Sequence, residues 1–312
     1  MNKARISIVG AGYMGGGMAQ VFALAGHKVL LADVDEVTAT AGRERLVEEA
    51  SRFQDDGLFP EGSVKRIAEN ITAAASIEDG VSEADYVAEV VSENLEIKES
   101  VLGRISSAAP TNAIVATNTS AISISMLAQF VAQPERFLGV HWMNPAPFVP
   151  SVELIPSTKT SMDVVEQVET MIDDLGKVTT RVSDSAGFVA NRLQFALFRE
   201  AALIVEEGLA TPAEIDEVVT NAFGFRLPFF GPFAIADMAG LDVYAGAYET
   251  LSATFGQRLA APSLLTELVN QGKLGVKTGE GFWCYEPAAA GELADRRNRA
   301  YVALASLRRD LE

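Results

Sequence analysis

The sequence contains only one cysteine, Cys284, and only two histidines, His27 and His141, in 312 residues. A single cysteine excludes a disulfide bond within the chain and is typical of proteins from a reducing compartment. No cluster of residues has the spacing of metal ligands. We therefore expect a cytoplasmic protein without a metal site.

Basic residues are also scarce, and long apolar segments are absent. The chain has 25 lysines and arginines against 42 acidic residues, which gives a formal net charge of −17. Nucleic acids and anionic membranes bind to cationic patches, so neither is an expected partner. The first residues, MNKARISIVGAG, lead into a strand without an apolar signal region, and no apolar run could span a bilayer. These absences favour a soluble globular protein whose partner is a small molecule.

The sequence does contain a glycine pattern between two predicted strands, RISIV and KVLLAD. Gly10, Gly12 and Gly15 match G-x-G-x-x-G at the start of a helix. In such a loop the first glycine permits a tight turn, the second lets the backbone approach a pyrophosphate, and the third allows close helix packing. Asp33 ends the second strand, where a carboxylate accepts a hydrogen bond from a ribose 2′-hydroxyl and repels a 2′-phosphate. The pattern is weak by itself, but its placement predicts NAD binding rather than NADP binding.

Strands and helices alternate through the first half of the chain. Further strands are predicted at residues 85–91, 113–119 and 137–142, and in the segment KVTTRVSD. The alternation predicts a doubly wound parallel sheet, in which ligands bind beyond the carboxyl ends of the strands. Ser120 and His141 fall at such ends. His27 is interpreted as a surface residue between the first helix and the second strand.

The second half is predicted to be helical from about Ser185 onward. The segment AGFVANRLQFALFREAALIVEEGL has apolar residues at helical spacing, and Thr211 and Glu214 form a capping box at the next helix. The expected fold class is α/β. An N-terminal NAD-binding domain with a Rossmann-type doubly wound sheet, residues 1–185, precedes a smaller all-α domain, residues 186–312, for substrate binding and dimerisation.

Seven motifs, in order, resemble those of the 3-hydroxyacyl-CoA dehydrogenase family over nearly the full length of the chain. They are VGAGYMGGGMA, VSENLEIK, TNTSAISI, GVHWMNPAPFVPSVELI, AGFVANRL, GPFAIADMAGLD and KTGEGFWCY. The resemblance implies hydride transfer from a secondary alcohol to NAD. It also implies a homodimer formed through the helical domain, with which the apolar run near residues 195–198 is consistent.

The resemblance further implies the roles of four catalytic residues. His141 would be the general acid/base, since an imidazole exchanges protons near neutral pH. Glu153 would pair with the other ring nitrogen and stabilise the imidazolium. Ser120 and Asn191 would bind the reacting oxygen of the substrate, because a hydroxyl and an amide can hold it without adding charge.

The resemblance and the glycine loop together give the expected cofactor-binding residues. They are Gly10, Gly12, Tyr13, Met14, Gly15, Asp33, Glu93, Lys98 and Asn118. Glu93 and Lys98 match family positions at the nicotinamide-side ribose. The alternative is that these two residues only form a charged pair on a helix face.

The substrate could be a CoA thioester or a free acid. The phosphates of CoA need lysines or arginines, and the CoA-using branch of the family is lysine-rich in the helical pair after the second strand. The matching segment here, LVEEASRFQDDGLF, has four acids against one arginine: Glu48, Glu49, Asp55 and Asp56 against Arg52. These acids favour a free acid, unless they only form a solvated helix face.

The segment FGFRLPFFGP is similar to a branch of the family that acts on small unesterified substrates. That branch includes L-gulonate 3-dehydrogenase with its relative lambda-crystallin, and L-carnitine dehydrogenase. The segment KLGVKTGEGFWCY is also similar to the pyridine-alcohol dehydrogenase of vitamin B6 breakdown. Arg226 stands where this branch has a basic residue, and an arginine suits a substrate carboxylate because it can bind both oxygens.

Three functions are therefore weighed. The first is an NAD-dependent dehydrogenase for a small 3-hydroxy acid or related carboxylated alcohol, and the second is a 3-hydroxyacyl-CoA dehydrogenase. The third is a non-catalytic NAD-binding protein of the lambda-crystallin kind. All four catalytic positions carry the needed residue types, which weighs against the third.

Overall fold

The computed structural model describes residues 3–286 and 289–311. This part of the chain divides into two compact units, which separate between Leu197 and Phe198. The predicted domain limits, 1–185 and 186–312, stay a prediction, because the division between the compact units falls inside a helix rather than at Ser185. The residues Met1 and Asn2, with which the predicted N-terminal segment begins, lie outside the described residues.

Eight strands form one sheet in the first unit, in the order β3-β2-β1-β4-β5-β6-β7-β8. The strands are β1 Arg5–Val9, β2 Lys28–Ala32, β3 Ile71–Ala73, β4 Tyr86–Glu89, β5 Ile114–Thr117, β6 Phe137–Trp142, β7 Ser151–Pro156 and β8 Val178–Arg181. Neighbouring strands pair in parallel except β6 and β7, which are antiparallel. The expected Rossmann-type α/β fold is therefore confirmed, with β7 and β8 reversed relative to the other strands.

Helices cover the sheet and form the second unit. Those of the first unit are α1 Tyr13–Leu24, α2 Glu36–Asp55, α3 Ser63–Asn70, α4 Ile77–Val81, α5 Leu95–Ala108, α6 Ile124–Leu127 and α7 Met162–Asp173. Helix α8, Ala190–Glu206, begins in the first unit and ends in the second. Those of the second unit are α9 Pro212–Asn221, α10 Pro232–Ala239, α11 Leu241–Phe255, α12 Ser263–Asn270 and α13 Ala289–Leu311. No helix in the described part of the chain is long and apolar enough to cross a membrane.

The sheet is buried on both faces, which explains its nearly continuous apolar strands. Ile8 of β1 belongs to a core that contains Phe22 of α1, whereas the next residue, Val9, belongs to a core that contains Leu102 of α5. Successive side chains of a strand point to opposite faces, so each central strand contributes to both cores. This double burial fixes the carboxyl edge of the parallel strands, where the candidate site lies.

Two strands were not expected from the sequence. Strand β3 has only three residues, and no strand was predicted there. Strand β7 lies in a stretch with prolines at 145, 147, 150 and 156, which are typical of loops. Strand β7 forms because it lies against β6 at Leu138 to Trp142 and against β8 on its other side.

The interpretation of His27 as a surface residue was wrong. The side chain is 9% exposed, and its Nδ1 accepts a hydrogen bond from the backbone N–H of Ala4 at 3.2 Å. The ring also packs edge-on against Phe22. Burial lowers the pKa of His27, so the neutral imidazole is the form that the fold accommodates.

The second unit has a small core and the predicted capping box. Thr211 accepts a hydrogen bond from the N–H of Glu214, and the carboxylate of Glu214 accepts one from the N–H of Thr211. Leu241 and Leu265 are buried between α11 and α12. The carboxylate of Asp237, 1% exposed, organises the glycine-rich turn that follows α12.

Candidate active site

The loop between β1 and α1 has the backbone that its glycines predict. Gly10 has a φ of 115°, and a Cβ there would lie 2.6 Å from the carbonyl oxygen of Val90. A Cβ on Gly15 would lie 1.9 Å from the carbonyl oxygen of Gly10, so the helix approaches the loop as closely as the fingerprint requires. A Cβ on Gly12 would have no atom of the described chain within 4 Å. Packing within the protein thus explains Gly10 and Gly15, and Gly12 leaves space where a ligand can approach.

Helix α1 presents an open N-terminus at this loop. Its N-cap, Gly12, makes no side-chain capping bond, and the first turn of this fully described helix has no acidic residue. The backbone N–H groups at Tyr13 and Met14 are therefore available to an anion, whose charge the helix dipole also favours. These features fit the pyrophosphate of a dinucleotide.

Asp33 lies directly beside the glycine loop. Its Oδ2 accepts a hydrogen bond from the N–H of Ala11 at 2.6 Å, and its Oδ1 accepts one from the N–H of Val34 at 2.7 Å. Arg45, from α2, donates to the carbonyl of Ala11 at 2.6 Å. The sequence analysis missed Arg45, because only the packing of α2 on the loop brings it there.

His141 and Glu153 stand opposite each other on β6 and β7. The antiparallel register pairs these two residues, and Nδ1 of His141 lies 2.9 Å from Oε2 of Glu153. Each residue is 4% exposed. The other oxygen of Glu153 accepts hydrogen bonds from the N–H groups of Val189 and Ala190, at 3.1 and 2.9 Å. The carboxylate thus connects the imidazole to the segment that begins α8.

The environment of Glu153 favours its ionised form. Burial alone would raise its pKa, but the hydrogen bonds from His141, Ala190 and Val189 outweigh burial and lower the pKa below its ordinary value. An ionised carboxylate only accepts hydrogen bonds, so Nδ1 of His141 must carry the proton. Nε2 is then the ring nitrogen with a free lone pair, and it can accept a proton.

Phe188 is a residue of this site that the sequence analysis missed. Its ring centroid lies 5.5 Å from that of His141, and the side chain is 1% exposed. Its φ of 50° is unusual for a residue other than glycine. The only signal in the sequence was its place within AGFVANRL. The ring of Phe188 limits the positions that the imidazole can adopt.

Ser120 and Asn191 are brought together at the same edge of the sheet. Nδ2 of Asn191 donates to the carbonyl of Ser120 at 3.1 Å. Asn118, two residues earlier, accepts a hydrogen bond on Oδ1 from the N–H of Trp142 at 2.8 Å. Because Trp142 follows His141, this bond connects the end of β5 to the end of β6.

Glu93 and Lys98 lie within ion-pair distance, with 3.6 Å between Nζ and Oε2, but they do not share a helix face. Glu93 precedes α5, whose N-cap is Asn94, and its Oε1 accepts hydrogen bonds from the N–H groups of Ser120 and Ala121 at 3.0 Å each. Lys98 is 1% exposed, and its Nζ lies 2.8 Å from Oε1 of Glu89. The expected contact of both residues with the ribose stays a prediction. The sequence analysis missed Glu89, although a glutamate within the apolar run DYVAEVV needs a partner.

Arg226 belongs to the second unit, in a short 3-10 helix, Gly224–Arg226. It borders a cavity of about 390 Å³ with a second arginine, Arg297 of α13. The other lining residues are Ile235, Met238, Ala239, Asn298 and Tyr301. The cavity therefore combines apolar walls with two guanidinium groups and has no carboxylate among its described lining residues.

Known protein families that match the chain include an NAD-binding domain, as the glycine loop predicts. The NAD binding domain of 3-hydroxyacyl-CoA dehydrogenase matches residues 5–185, and the C-terminal domain of the same enzyme matches residues 187–285. The chain is thus an NAD-dependent dehydrogenase that acts on a hydroxyl group. It belongs to the 3-hydroxyacyl-CoA dehydrogenase family.

The chain is similar both to a relative named for a free carboxylate and to relatives named for CoA thioesters. The 5-formyl-3-hydroxy-2-methylpyridine 4-carboxylate 5-dehydrogenase of Mesorhizobium japonicum is 35% identical over 301 residues, 96% of each chain. A probable 3-hydroxybutyryl-CoA dehydrogenase of Bacillus subtilis is 36% identical over 287 residues, 92% of this chain and 99% of the relative. A solved 3-hydroxyacyl-CoA dehydrogenase from Archaeoglobus fulgidus, 32% identical, has a TM-score of 0.80 over 97% of this chain and 99% of that one.

Proposed function

We propose that the protein oxidises the hydroxyl group of a small 3-hydroxy acid or related carboxylated alcohol, with His141 as the general base. The observation that carries the proposal is the 2.9 Å contact between Nδ1 of His141 and Oε2 of Glu153. NAD, when bound, accepts the hydride from the carbinol carbon. The protein has to remove the hydroxyl proton, and Nε2 of His141 is the group available for this step.

Glu153 and two neutral residues complete this chemistry. When His141 takes the proton, the ionised Glu153 stabilises the resulting imidazolium through its bond to Nδ1. Glu153 keeps its own position through the N–H groups of Val189 and Ala190. The hydroxyl of Ser120 and the amide of Asn191 hold the reacting oxygen, and the carbonyl of Ser120 fixes the orientation of that amide.

The charges around α2 support a small acid over a CoA thioester. Three of the four acids singled out in this segment are exposed: Glu48, Asp55 and Asp56. Two nearby arginines already donate hydrogen bonds to backbone carbonyls. Arg43 donates to the carbonyls of Ile71 and Ala68, and Arg45 donates to the carbonyl of Ala11. Phosphate groups would therefore meet three exposed acids here against one exposed arginine of the same segment, Arg52, which disfavours CoA.

The alternative function is a 3-hydroxyacyl-CoA dehydrogenase. Membership of the family and the similarity to the Bacillus subtilis relative favour it. For this function, the exposed acids of α2 would only form a solvated helix face, and the CoA phosphates would have to bind to other residues. The proposed chemistry of His141 is the same for both substrates. The third function, a non-catalytic protein, is disfavoured because the similar proteins are dehydrogenases.

Arg226 is the residue that we propose to bind the substrate carboxylate. A guanidinium binds both oxygens of a carboxylate, and such charge-assisted contacts contribute about 1.5–3 kcal/mol. We expect Arg226→Gln to raise KM for a free-acid substrate by about 10- to 100-fold with a smaller change in kcat. Steady-state NADH formation measures both constants.

The matched control for this variant is Arg299→Gln. Arg299 is exposed on α13, two residues after Arg297, so the control removes one positive charge from the same unit. It should leave KM within about twofold of the wild-type value. An unchanged KM in Arg226→Gln, with turnover of a free acid intact, would show that the carboxylate is bound by other residues.

We also propose a cytoplasmic homodimer that forms through α8. Four large apolar side chains on this helix are exposed: Leu193 at 59%, Phe195 at 64%, Leu197 at 43% and Phe198 at 67%. Exposed apolar side chains of this kind suit a second copy, whose own α8 carries the same side chains. A monomeric mass by light scattering at micromolar concentration would contradict the dimer.

A further inference from the structure

The cavity that contains Arg226 has a second cation, Arg297 of α13. Both arginines are half-buried, and no carboxylate in the described part of the chain pairs with either of them. Two like charges at one cavity repel each other, and partial burial makes that repulsion stronger than it would be in water. An anion bound in the cavity would offset this repulsion.

Helix α13 is held at this cavity by aromatic contacts within the second unit. The ring centroid of Tyr301 lies 5.7 Å from that of Phe225 and 6.4 Å from that of Phe230. The first of these phenylalanines directly precedes Arg226, and the second follows it four positions later. Because Tyr301 packs on both, α13 presents Arg297 to the same cavity as Arg226.

Both guanidinium groups retain donors for a ligand. Nε and Nη2 of Arg297 donate to Oδ1 of Asn298 at 3.2 and 3.1 Å, which orients the planar group. A guanidinium has five N–H groups, so this contact leaves the others available. The side chain of Arg226 donates to no group in the described part of the chain.

The rest of the cavity suits a short carbon chain. Its volume of about 390 Å³ is near the lower end of the usual range for ligand cavities, about 300–1,000 Å³. Ile235, Met238 and Ala239 form an apolar part of its wall, on which methylene groups can pack. A small molecule with a short carbon chain and two carboxylates would match both the wall and the two cations.

The helix that carries Arg297 lies outside the part of the chain that matches the family. The match to the C-terminal domain of 3-hydroxyacyl-CoA dehydrogenase ends at residue 285, and α13 begins at Ala289. Arg226 lies inside the matched residues. Since different members of a fold family differ in the sites added to the shared fold, α13 is a reasonable place for a determinant of this protein's own substrate.

We propose that Arg297 binds a second carboxylate of the substrate, so that the hydroxyl group oxidised by this protein belongs to a small dicarboxylic acid. The inference rests on the proposed role of Arg226, which binds the first carboxylate. Each guanidinium binds both oxygens of one carboxylate. A monocarboxylic acid leaves one of the two cations without an anion. Arg297 therefore contributes to the choice of substrate and takes no part in proton transfer.

The test compares two unreactive probes of equal chain length, glutarate and pentanoate, on the protein loaded with NAD. Glutarate has a carboxylate at each end, whereas pentanoate has a methyl group at one end. We expect glutarate to bind at least about tenfold more tightly, because it makes one more charge-assisted contact. Arg297→Gln should reduce the difference to about threefold or less. Isothermal titration calorimetry measures both dissociation constants.

The matched control is Arg299→Gln, which removes an exposed charge from the same helix and does not line the cavity. It should keep the full preference for glutarate. Equal binding of the two probes by the wild-type protein, or no binding of glutarate at millimolar concentration, would overturn the inference. The proposed function would then still be tested separately by KM in Arg226→Gln.

Arg226→Gln distinguishes a failure of this inference from a failure of the proposed function. We expect this variant also to lose the preference for glutarate. A preference that is lost in Arg226→Gln but kept in Arg297→Gln would overturn the role of Arg297 and leave that of Arg226 intact. A preference that is kept in both variants would contradict both roles.

The phosphates of CoA are other anions that two arginines can bind. Adenosine 3′,5′-bisphosphate, which has phosphates on the same nucleoside as CoA, is the competing probe for them. We expect it to leave the dissociation constant for glutarate within about twofold of its value without the competitor. Displacement of glutarate that Arg297→Gln abolishes would overturn the inference in favour of a CoA phosphate at this cavity.

Discussion

Replacing His141 with glutamine is expected to lower kcat by roughly 10²- to 10⁴-fold, the usual contribution of a general base. Glutamine keeps a polar group of similar reach but cannot take the hydroxyl proton. The dissociation constant for NADH should change little, because the glycine loop and Asp33 lie at other strands of the sheet. Steady-state NADH formation and NADH fluorescence titration give the two quantities separately.

The matched control is His27→Gln, which removes the other histidine of the same unit. His27 is buried against Phe22 and bound to the N–H of Ala4, so this variant is expected to lose some stability and keep turnover. If His141→Gln turned over substrate at a rate near wild type, His141 could not be the base. A group other than the imidazole would then have to take the proton.

The largest effect on stability is expected for Asp237→Ala in the second unit. Oδ1 accepts a hydrogen bond from the N–H of Phe282, and Oδ2 accepts from the N–H of Trp283 and the hydroxyl of Tyr285, all within 3.0 Å. Alanine would leave these three donors without their acceptor in a partly buried place. Each such donor costs about 1–3 kcal/mol, so we expect a loss of about 3–5 kcal/mol of unfolding free energy after partial relaxation.

Urea unfolding followed by tryptophan fluorescence measures this loss, since Trp283 lies in the affected turn. Asp242→Ala is the control, because Asp242 is 43% exposed and its ion pair with Lys277 is of the surface kind. The control should lose no more than about 1 kcal/mol. Equal losses in the two variants would mean that Asp237 does not organise the turn.

The motif KTGEGFWCY illustrates how a sequence signal can have a structural cause. A Cβ on Gly281 would lie 2.3 Å from Oδ1 of Asp237, and a Cβ on Gly275 would lie 2.3 Å from its carbonyl oxygen. These glycines let the backbone close around the buried carboxylate. The sequence shows the glycines of this motif, but it could not indicate which residue the turn encloses.

The glycine loop could be predicted from the sequence because its requirements are local. The turn, the helix start and Asp33 all lie within about one strand–helix–strand unit, and their spacing follows from backbone geometry. The opposition of His141 and Glu153 could not be predicted in the same way. It depends on the register between β6 and β7. The prolines around β7 are typical of loops, so the sequence pattern does not predict that strand.

Two interpretations of charged or polar residues depended on features that neighbouring residues in the sequence do not determine. His27 lies next to a turn, which is typical of a surface position, yet the turn folds against the residue before β1. Glu93 and Lys98 were weighed as a pair on a helix face, but α5 begins after Glu93, and the two side chains approach to 3.6 Å across the start of the helix. Tertiary packing decides both cases, because burial and helix limits depend on segments distant in sequence.

The most direct measurement is NADH formation from free hydroxy acids beside 3-hydroxybutyryl-CoA. The panel contains L-carnitine, L-gulonate, 3-hydroxybutyrate and pyridine carboxylate alcohols, each with NAD in excess. We predict that a free acid is turned over with a kcat/KM at least about 100-fold above that for the thioester, since the exposed acids of α2 oppose the CoA phosphates. A clear preference for the thioester would contradict the account, and would mean that these acids are only a solvated face of the helix.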